Sequence, residues 1–181
     1  MTIQINENAT LALTSQEYAV GLFEAINNNR EHLSEFLPWV GNMQSVENVR
    51  EYLQHCEAQI AAKTEFSFII LQQQKAIGRI GFHQIDTNNK SAAIGYWLTK
   101  DAEGKGIITA ACSKIIDYGF NHLCLNRIEI KAATHNPKSQ AIPKKLNFKQ
   151  EGVLRQGEFV NGGFFDIVVY GMVREDWGTL V

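Results

Sequence analysis

Two closely spaced glycines, Gly104 and Gly106, stand where a predicted strand passes into a predicted helix. Glycine lets the backbone approach a ligand closely and lets successive N–H groups converge on one point. The first helical turn adds N–H groups without intrahelical partners and the positive end of the helix dipole. Such a loop can bind a phosphate or diphosphate, although a purely structural turn could use the same two glycines. The segment lacks the third glycine of a dinucleotide fingerprint and the Gly-Lys-Ser/Thr of a P-loop.

A few polar side chains elsewhere could take part in chemistry. His83, at the end of a predicted strand, has the near-neutral pKa that suits a general base, although a lone histidine there is more often structural. Asn136 precedes Pro137, and this pair is typical of turns as well as of ligand contacts. The 5 histidines show no ligand spacing and no Cys-x-x-Cys motif occurs, so we predict no metal site.

The hydrophobic pattern predicts the elements that must position these residues. Strands are expected over residues 3–13, 66–71, 76–83, 92–99, 127–132, 152–160 and 164–173, and helices over 18–26, 33–37, 46–60, 107–122 and 139–146. The three strands between residues 66 and 99 are predicted to form an antiparallel meander. The fold class is therefore a mixed α/β (α+β) chain whose sheet is largely antiparallel, and residues 1–181 are expected to form a single domain.

Composition narrows the range of functions. The chain has 181 residues, of which 45% are hydrophobic and 20% charged, with a net charge of −2. This charge does not favour nucleic acid as a partner. The start of the chain does not resemble a signal peptide, and no run of 18 apolar residues predicts a membrane span. The 3 widely spaced cysteines are typical of reduced thiols, and we expect a cytoplasmic protein.

Taken together, these segments resemble the GNAT acetyltransferase superfamily. Within it, the chain is similar to the RimJ/RimL-type branch, which acetylates protein N-termini and includes ribosomal-protein-serine N-acetyltransferases. The resemblance covers the whole chain in element order, and is carried by Ile94 to Leu98, Glu103 to Thr109, Asn126-Arg127, Asn136 to Phe148 and Phe159 to Gly162.

The resemblance implies the family's fold, with a mostly antiparallel sheet flanked by helices, and acetyl-CoA as co-substrate without a metal. It also implies a set of coenzyme-binding residues: Trp97, Leu98, Glu103, Gly104, Lys105, Gly106, Ile107, Ile108, Thr109, Asn136 and Ser139. Backbone N–H groups near Tyr96 to Leu98 would stabilise the oxyanion, because the family's strand separates from its neighbour there. Lysines 100, 105, 138 and 144 are weaker candidates for the coenzyme phosphates.

Catalytic roles are carried over from the same branch. Ser139 corresponds to a serine near the thioester sulfur and is expected to protonate or hydrogen-bond the thiolate, although it also fits a helix first turn. Glu158 corresponds to a glutamate proposed as base or substrate contact, and His83 ranks second as the base. Two departures stand out: Asp101 replaces the usual Gln or Arg of the loop, and Pro143 replaces a tyrosine that protonates the thiolate in many relatives.

The acceptor amine is left open between alternatives. The N-terminal α-amine of a protein, with ribosomal proteins among the candidates, is the leading interpretation, as the resemblance implies. About a tenth of such amines are neutral at pH 7, so only a modest base would be needed. A small amine such as a polyamine or an aminoglycoside would require an acidic groove, for which the candidates are Glu31, Glu35, Glu47 and Glu51. A non-catalytic acyl-CoA-binding domain is a third interpretation, and a purely structural glycine turn a fourth. The terminal hairpin leaves an edge that could form a homodimer.

Overall fold

The computed structural model describes residues 1–179, and a single sheet runs through them. Its eight strands within this range are β1 (Thr2–Asn6), β2 (Ala9–Leu13), β3 (Phe66–Gln72), β4 (Lys75–Asp86), β5 (Ser91–Leu98), β6 (Arg127–Ala133), β7 (Lys149–Val160) and β8 (Gly163–Val173). They lie in the order β1-β2-β3-β4-β5-β6-β8-β7. Neighbouring strands are antiparallel except β5 and β6, which run parallel. The predicted mixed, mostly antiparallel fold is therefore confirmed.

Six α-helices flank the sheet within residues 1–179. They are α1 (Ala19–Asn27), α2 (Arg30–Ser34), α3 (Val46–Ala61), α4 (Ile107–Asn121), α5 (Pro137–Lys145) and α6 (Arg174–Gly178). Short 3-10 turns precede α1, follow α2 and open the glycine loop, over Gln16–Tyr18, Pro38–Asn42 and Lys100–Ala102. None of the helices in the described range combines the length and the apolar character that crossing a bilayer would need.

The two faces of the sheet bury different hydrophobic clusters. On one face, Phe68, Ile80 and Ile128 pack with Ile115 of α4 in the larger cluster. On the other face, apolar residues of β2 and β3 pack with α1 and α3, whose buried side chains include Leu22 and Leu53. Because strand side chains alternate between the faces, each element contributes to the cluster that its period predicts.

The described structure differs from the sequence prediction at both ends. Residues 3–13 form the hairpin β1–β2 rather than one strand, because the Asn6 side chain accepts a hydrogen bond from the backbone N–H of Asn8 (2.9 Å) and turns the chain. An Asx turn of this kind needs no glycine, so the apolar pattern across it looked continuous. The short helix α6 was not predicted, and Trp177 anchors it by donating from its indole N–H to Asp117 (2.7 Å).

Candidate active site

The strands β5 and β6 separate halfway along their length. They pair from Ser91 with Arg127 to Ile94 with Ile130, and the pairing then stops. Beyond this point β5 continues to pair with β4 and β6 continues to pair with β8. The result is a wedge-shaped opening in the middle of the sheet, whose two edges carry backbone groups free to bind a ligand.

The direction of the free N–H groups on β5 follows from one hydrogen bond. The N–H of Thr99 donates to the carbonyl of Ile77 on the β4 side, at 2.8 Å. Since successive residues of a strand point their N–H groups to opposite edges, Trp97 also faces β4, whereas Tyr96 and Leu98 face the opening. These two N–H groups are where the sequence analysis expected an oxyanion to be stabilised.

The glycine loop lies at the end of β5 and leads into α4. Both Gly104 and Gly106 have φ of 74°, and Gly106 is the N-cap of α4 without any side-chain cap. A Cβ at either glycine would contact nothing within 4 Å, so the positive φ rather than lack of space favours glycine. The first intrahelical bond joins the N–H of Ala110 to the carbonyl of Gly106 (3.0 Å). The N–H groups of residues 107–109 precede it and can bind an anion.

A cavity of about 810 Å³ connects the opening in the sheet with this loop. Of the predicted coenzyme residues, its lining contains Trp97, Leu98, Glu103, Gly104, Gly106, Ile107, Ile108, Thr109, Asn136 and Ser139. The first turn of α5 forms the opposite wall, where the Asn136 side chain caps the helix by accepting from the backbone N–H of Ser139 (3.0 Å). One face of the cavity is therefore built from β5 and α4, and the other from α5.

Ser139 is held by a contact that the sequence analysis did not foresee. The hydroxyl of Tyr96 donates to the backbone carbonyl of Ser139 at 2.9 Å, and lies 3.4 Å from Ser139 Oγ. In a regular helix this carbonyl would accept from the N–H of residue 143, but Pro143 has none. Burial raises the pKa of Tyr96 far above its ordinary value, so the phenol stays protonated and remains a donor. The Tyr96 hydroxyl thus takes the place of the N–H that Pro143 lacks.

A bridge of polar side chains lies beside the glycine loop. The carboxylate of Glu103 pairs with Nε2 of His32 on α2 (3.1 Å) and with Nζ of Lys138 on α5 (2.6 Å). The hydrogen bond from Lys138 to Glu103 raises the pKa of the lysine, which stays charged. Asp101 is exposed and does not line the cavity, so an acidic side chain at this family position is kept out of it.

Lys105, His83 and Glu158 lie outside the cavity lining, as do Lys100 and Lys144 among the weaker candidates for the coenzyme phosphates. Lys105 lines a separate depression with Asn6 to Asn8 of the β1–β2 turn. The His83 ring packs against Gly95. A Cβ added to Gly95 would lie 3.4 Å from ring carbon Cε1 of His83. Desolvation lowers the pKa of His83, which keeps the ring neutral near pH 7 although Glu65 opposes the shift.

Glu158 faces the same side of the terminal hairpin as Phe165. The two residues are directly opposed in the β7–β8 register, and opposed residues of antiparallel strands project to the same face. The Phe165 ring contacts His135, with centroids 4.3 Å apart, and His135 lines the cavity. Glu158 is exposed on that face. Among residues 1–179, no group of three His, Cys, Asp or Glu side chains is arranged to hold a metal ion.

Comparison with known proteins adds independent evidence. The acetyltransferase (GNAT) domain family matches residues 10–149. The chain is 38% identical to the putative ribosomal N-acetyltransferase YdaF of Bacillus subtilis, over 97% of each chain. It is 31% identical to the ribosomal-protein-serine acetyltransferase of Escherichia coli, over 95% of this chain and 96% of that protein. The microcin C7 self-immunity acetyltransferase MccE, solved with acetyl-CoA and AMP, superposes with a TM-score of 0.90 at 31% identity, over 94% of this chain and 95% of that chain.

Proposed function

Because the chain belongs to the GNAT acetyltransferase family, in its RimJ/RimL-type branch, we propose that this N-acetyltransferase transfers the acetyl group of acetyl-CoA to the N-terminal α-amine of a protein. The observation that carries the proposal is the cavity that joins the opening between β5 and β6 to the glycine loop. A ligand that spans both features would place an anionic group, such as a phosphate, at the loop and an extended arm in the opening. Acetyl-CoA has this form, with its diphosphate and thioester joined by the pantetheine arm.

The coenzyme diphosphate is proposed to bind at Gly104 to Thr109. The free N–H groups at the start of α4 and the helix dipole favour an anion there, and the two glycines give the backbone its positive φ. Lys138 and Lys145 line the same cavity and add positive charge, whereas Lys105 lines a different depression. The pantetheine arm would then lie in the sheet opening beside Trp97 and Leu98, near the side chain of Asn136. MccE, solved with acetyl-CoA, supports this choice of co-substrate.

Acetyl transfer is proposed to occur by direct attack of the amine on the thioester. The N–H groups of Tyr96 or Leu98 donate to the oxyanion that develops on the thioester oxygen. When the carbon–sulfur bond breaks, the Ser139 hydroxyl donates a hydrogen bond or a proton to the thiolate. Tyr96 orients Ser139 through the bond to its carbonyl. Pro143 supplies no acid, so this role falls to Ser139.

Deprotonation of the amine requires only a modest base. An α-amine has a pKa of about 7.7–8.0, so roughly a tenth of it is neutral at pH 7. Glu158 is proposed to accept the proton, because it lies on the hairpin face that carries Phe165. His83 is the second candidate, since the shift in its pKa keeps the ring neutral. A pH–rate profile that stays unchanged in both Glu158→Gln and His83→Ala would exclude both side chains as the base.

Calorimetric titration with acetyl-CoA tests the coenzyme site. We expect wild-type binding, and its loss in Gly104→Asp and Gly106→Asp, because a carboxylate would stand where the diphosphate binds. Lys105→Ala serves as a matched control in the same loop and should bind normally, since Lys105 does not line the cavity. Unchanged binding in both glycine variants would contradict the proposed position of the diphosphate.

A further inference from the structure

Three aromatic rings from three separate elements pack together beside the cavity, which Phe36 and His135 line and Phe165 reaches through its contact with His135. Phe36 follows α2, His135 follows β6 and Phe165 lies on β8. The Phe36 and His135 rings have centroids 5.4 Å apart, and His135 and Phe165 meet edge to face at 4.3 Å. We call these residues the aromatic rim. It adjoins the first turn of α5, which carries Asn136 and Ser139.

The hairpin that carries Phe165 is hydrogen-bonded to the end of α2, close to Phe36. The side chain of Asn161, in the β7–β8 turn, donates to the carbonyl of Ser34 at the end of α2 (2.8 Å). This bond links the two elements that present Phe165 and Phe36, so the rim is held as one surface. Phe36 and His135 line the same cavity as Ser139, so a substrate bound near Ser139 can contact the rim.

The charges of the cavity do not suit a polycation. Its two carboxylates, Glu35 and Glu103, are matched by two ammonium groups, Lys138 and Lys145. Glu103 is further engaged by His32 and Lys138. A polyamine carries several ammonium groups and would need several uncompensated carboxylates.

The acidic groove considered for such a substrate is not formed at the cavity. Of the four glutamates at positions 31, 35, 47 and 51, the cavity lining within residues 1–179 includes only Glu35. Glu47 instead pairs with Arg50 on the exposed side of α3 (3.3 Å). The cavity beside the rim therefore offers an acceptor apolar surface and balanced charges.

We propose that the acceptor is a peptide N-terminus with one ammonium group and uncharged side chains at its first two positions, which pack against the aromatic rim. This inference rests on the proposed acetyltransferase function and narrows its substrate class. Aromatic faces attract a single ammonium group and pack well against apolar side chains. Glu158, on the face of Phe165, then balances the one positive charge that the amine carries before it loses its proton.

The test compares acceptors in one steady-state assay with acetyl-CoA. The acceptors are three peptides of equal length that begin Ser-Leu, Ser-Lys and Ser-Asp and are otherwise identical, together with spermidine. We expect kcat/KM to be highest for the Ser-Leu peptide and about tenfold or more lower for the other peptides and for spermidine. Spermidine used as well as the Ser-Leu peptide, or equal use of the three peptides, would overturn the inference.

Two phenylalanines on one hairpin provide matched variants. Phe165→Leu should raise KM for the Ser-Leu peptide about tenfold and leave KM for acetyl-CoA unchanged. Phe164→Leu should change neither value, because Phe164 is 62% exposed and projects from the opposite face. Phe36→Leu, on another element, should repeat the effect of Phe165→Leu.

Equal behaviour of Phe165→Leu and Phe164→Leu would overturn the role of the rim while leaving the acetyltransferase proposal intact. Failure of every amine to be acetylated by enzyme that binds acetyl-CoA would overturn the proposed function, and this inference with it.

Discussion

At the scale of single residues, the proposed chemistry depends on how Ser139 is held. Its backbone N–H is bound by the Asn136 side chain and its carbonyl by the Tyr96 hydroxyl. Pro143 explains the second bond, because it removes the helical donor that would otherwise occupy this carbonyl. The residue that departs from the family pattern is thus linked to the residue that orients the serine.

Replacing Tyr96 by phenylalanine tests this link. We expect Tyr96→Phe to lower kcat roughly fivefold with KM for acetyl-CoA unchanged, because the hydroxyl that orients Ser139 is lost. The variant should also lower the free energy of unfolding by about 1 kcal/mol, since a half-buried carbonyl loses its donor. Steady-state kinetics and urea unfolding measure the two effects.

A double-mutant cycle with Pro143→Ala identifies the cause. The alanine restores a backbone N–H that can bond the Ser139 carbonyl, so the Tyr96 hydroxyl is no longer its only donor. Tyr96→Phe should therefore cost less unfolding free energy in the Pro143→Ala background than in the wild-type background. Strictly additive effects of the two substitutions would mean that the Tyr96 bond and the missing N–H are independent.

At the scale of elements, much of the site follows from local sequence and part of it does not. The glycine loop and the start of α4 were predictable, because positive φ and free N–H groups depend only on Gly104, Gly106 and the strand–helix boundary. The Tyr96 bond to Ser139 was not, because it joins residues 43 positions apart. Asn147, just after α5, adopts a left-handed conformation with φ of 60°, which asparagine tolerates. Interactions across the sheet opening can be identified only from the three-dimensional structure, because local sequence does not show which distant residues meet.

Replacing a glycine of the loop by alanine should reduce the stability of the fold. Gly106→Ala should lower the free energy of unfolding by about 1–2 kcal/mol, because an L-residue is disfavoured at φ of 74°. Gly41→Ala is a suitable control, since a Cβ there also contacts nothing within 4 Å and its φ is not in the left-handed region. Denaturant unfolding of both variants measures the difference, and equal losses would argue against backbone strain at Gly106.

A largely buried arginine on β4 links the sheet to α3 and carries its own counter-charge. Arg79 of β4 pairs with Glu65, and its guanidinium lies 5.0 Å from the ring centroid of Tyr52 on α3. Glu65→Ala should destabilise the protein by about 3–5 kcal/mol in thermal or urea unfolding, because a buried guanidinium loses its counter-charge. The exposed pair of Glu47 with Arg50 provides the comparison, and Glu47→Ala should cost less than about 1 kcal/mol. Similar losses in the two variants would contradict the importance of burial here.

At the scale of the whole molecule, the sheet supplies both the stable framework and the opening where we propose that the coenzyme binds. Because β6 turns from β5 while it remains paired with β8, the opening is part of the fold and needs no conformational change. The sequence predicted a mixed, largely antiparallel sheet. It did not predict the extent of the opening, which depends on where the β5–β6 pairing stops. The aromatic rim likewise required three distant segments to meet.

The pH dependence of stability should reflect the charges that tie β6 to β7. Hydrogen bonding from Arg127 lowers the pKa of Glu151 below its ordinary value. The folded state therefore binds fewer protons than the unfolded state, and this stabilisation is present above the unfolded pKa of about 4.3 and lost as the pH falls through the folded pKa. Arg127→Met should flatten the fall in unfolding free energy below about pH 5. An unchanged acid slope in urea unfolding would contradict this assignment.

The site of acetylation on a defined peptide tests the central claim most directly. A peptide that begins Ser-Leu and contains one internal lysine would be incubated with acetyl-CoA and the enzyme, and the modified residue located by tandem mass spectrometry. The proposed mechanism predicts acetyl on the N-terminal α-amine, and none when that amine is blocked beforehand. Acetyl on the lysine side chain, or continued acetylation of the blocked peptide, would contradict it.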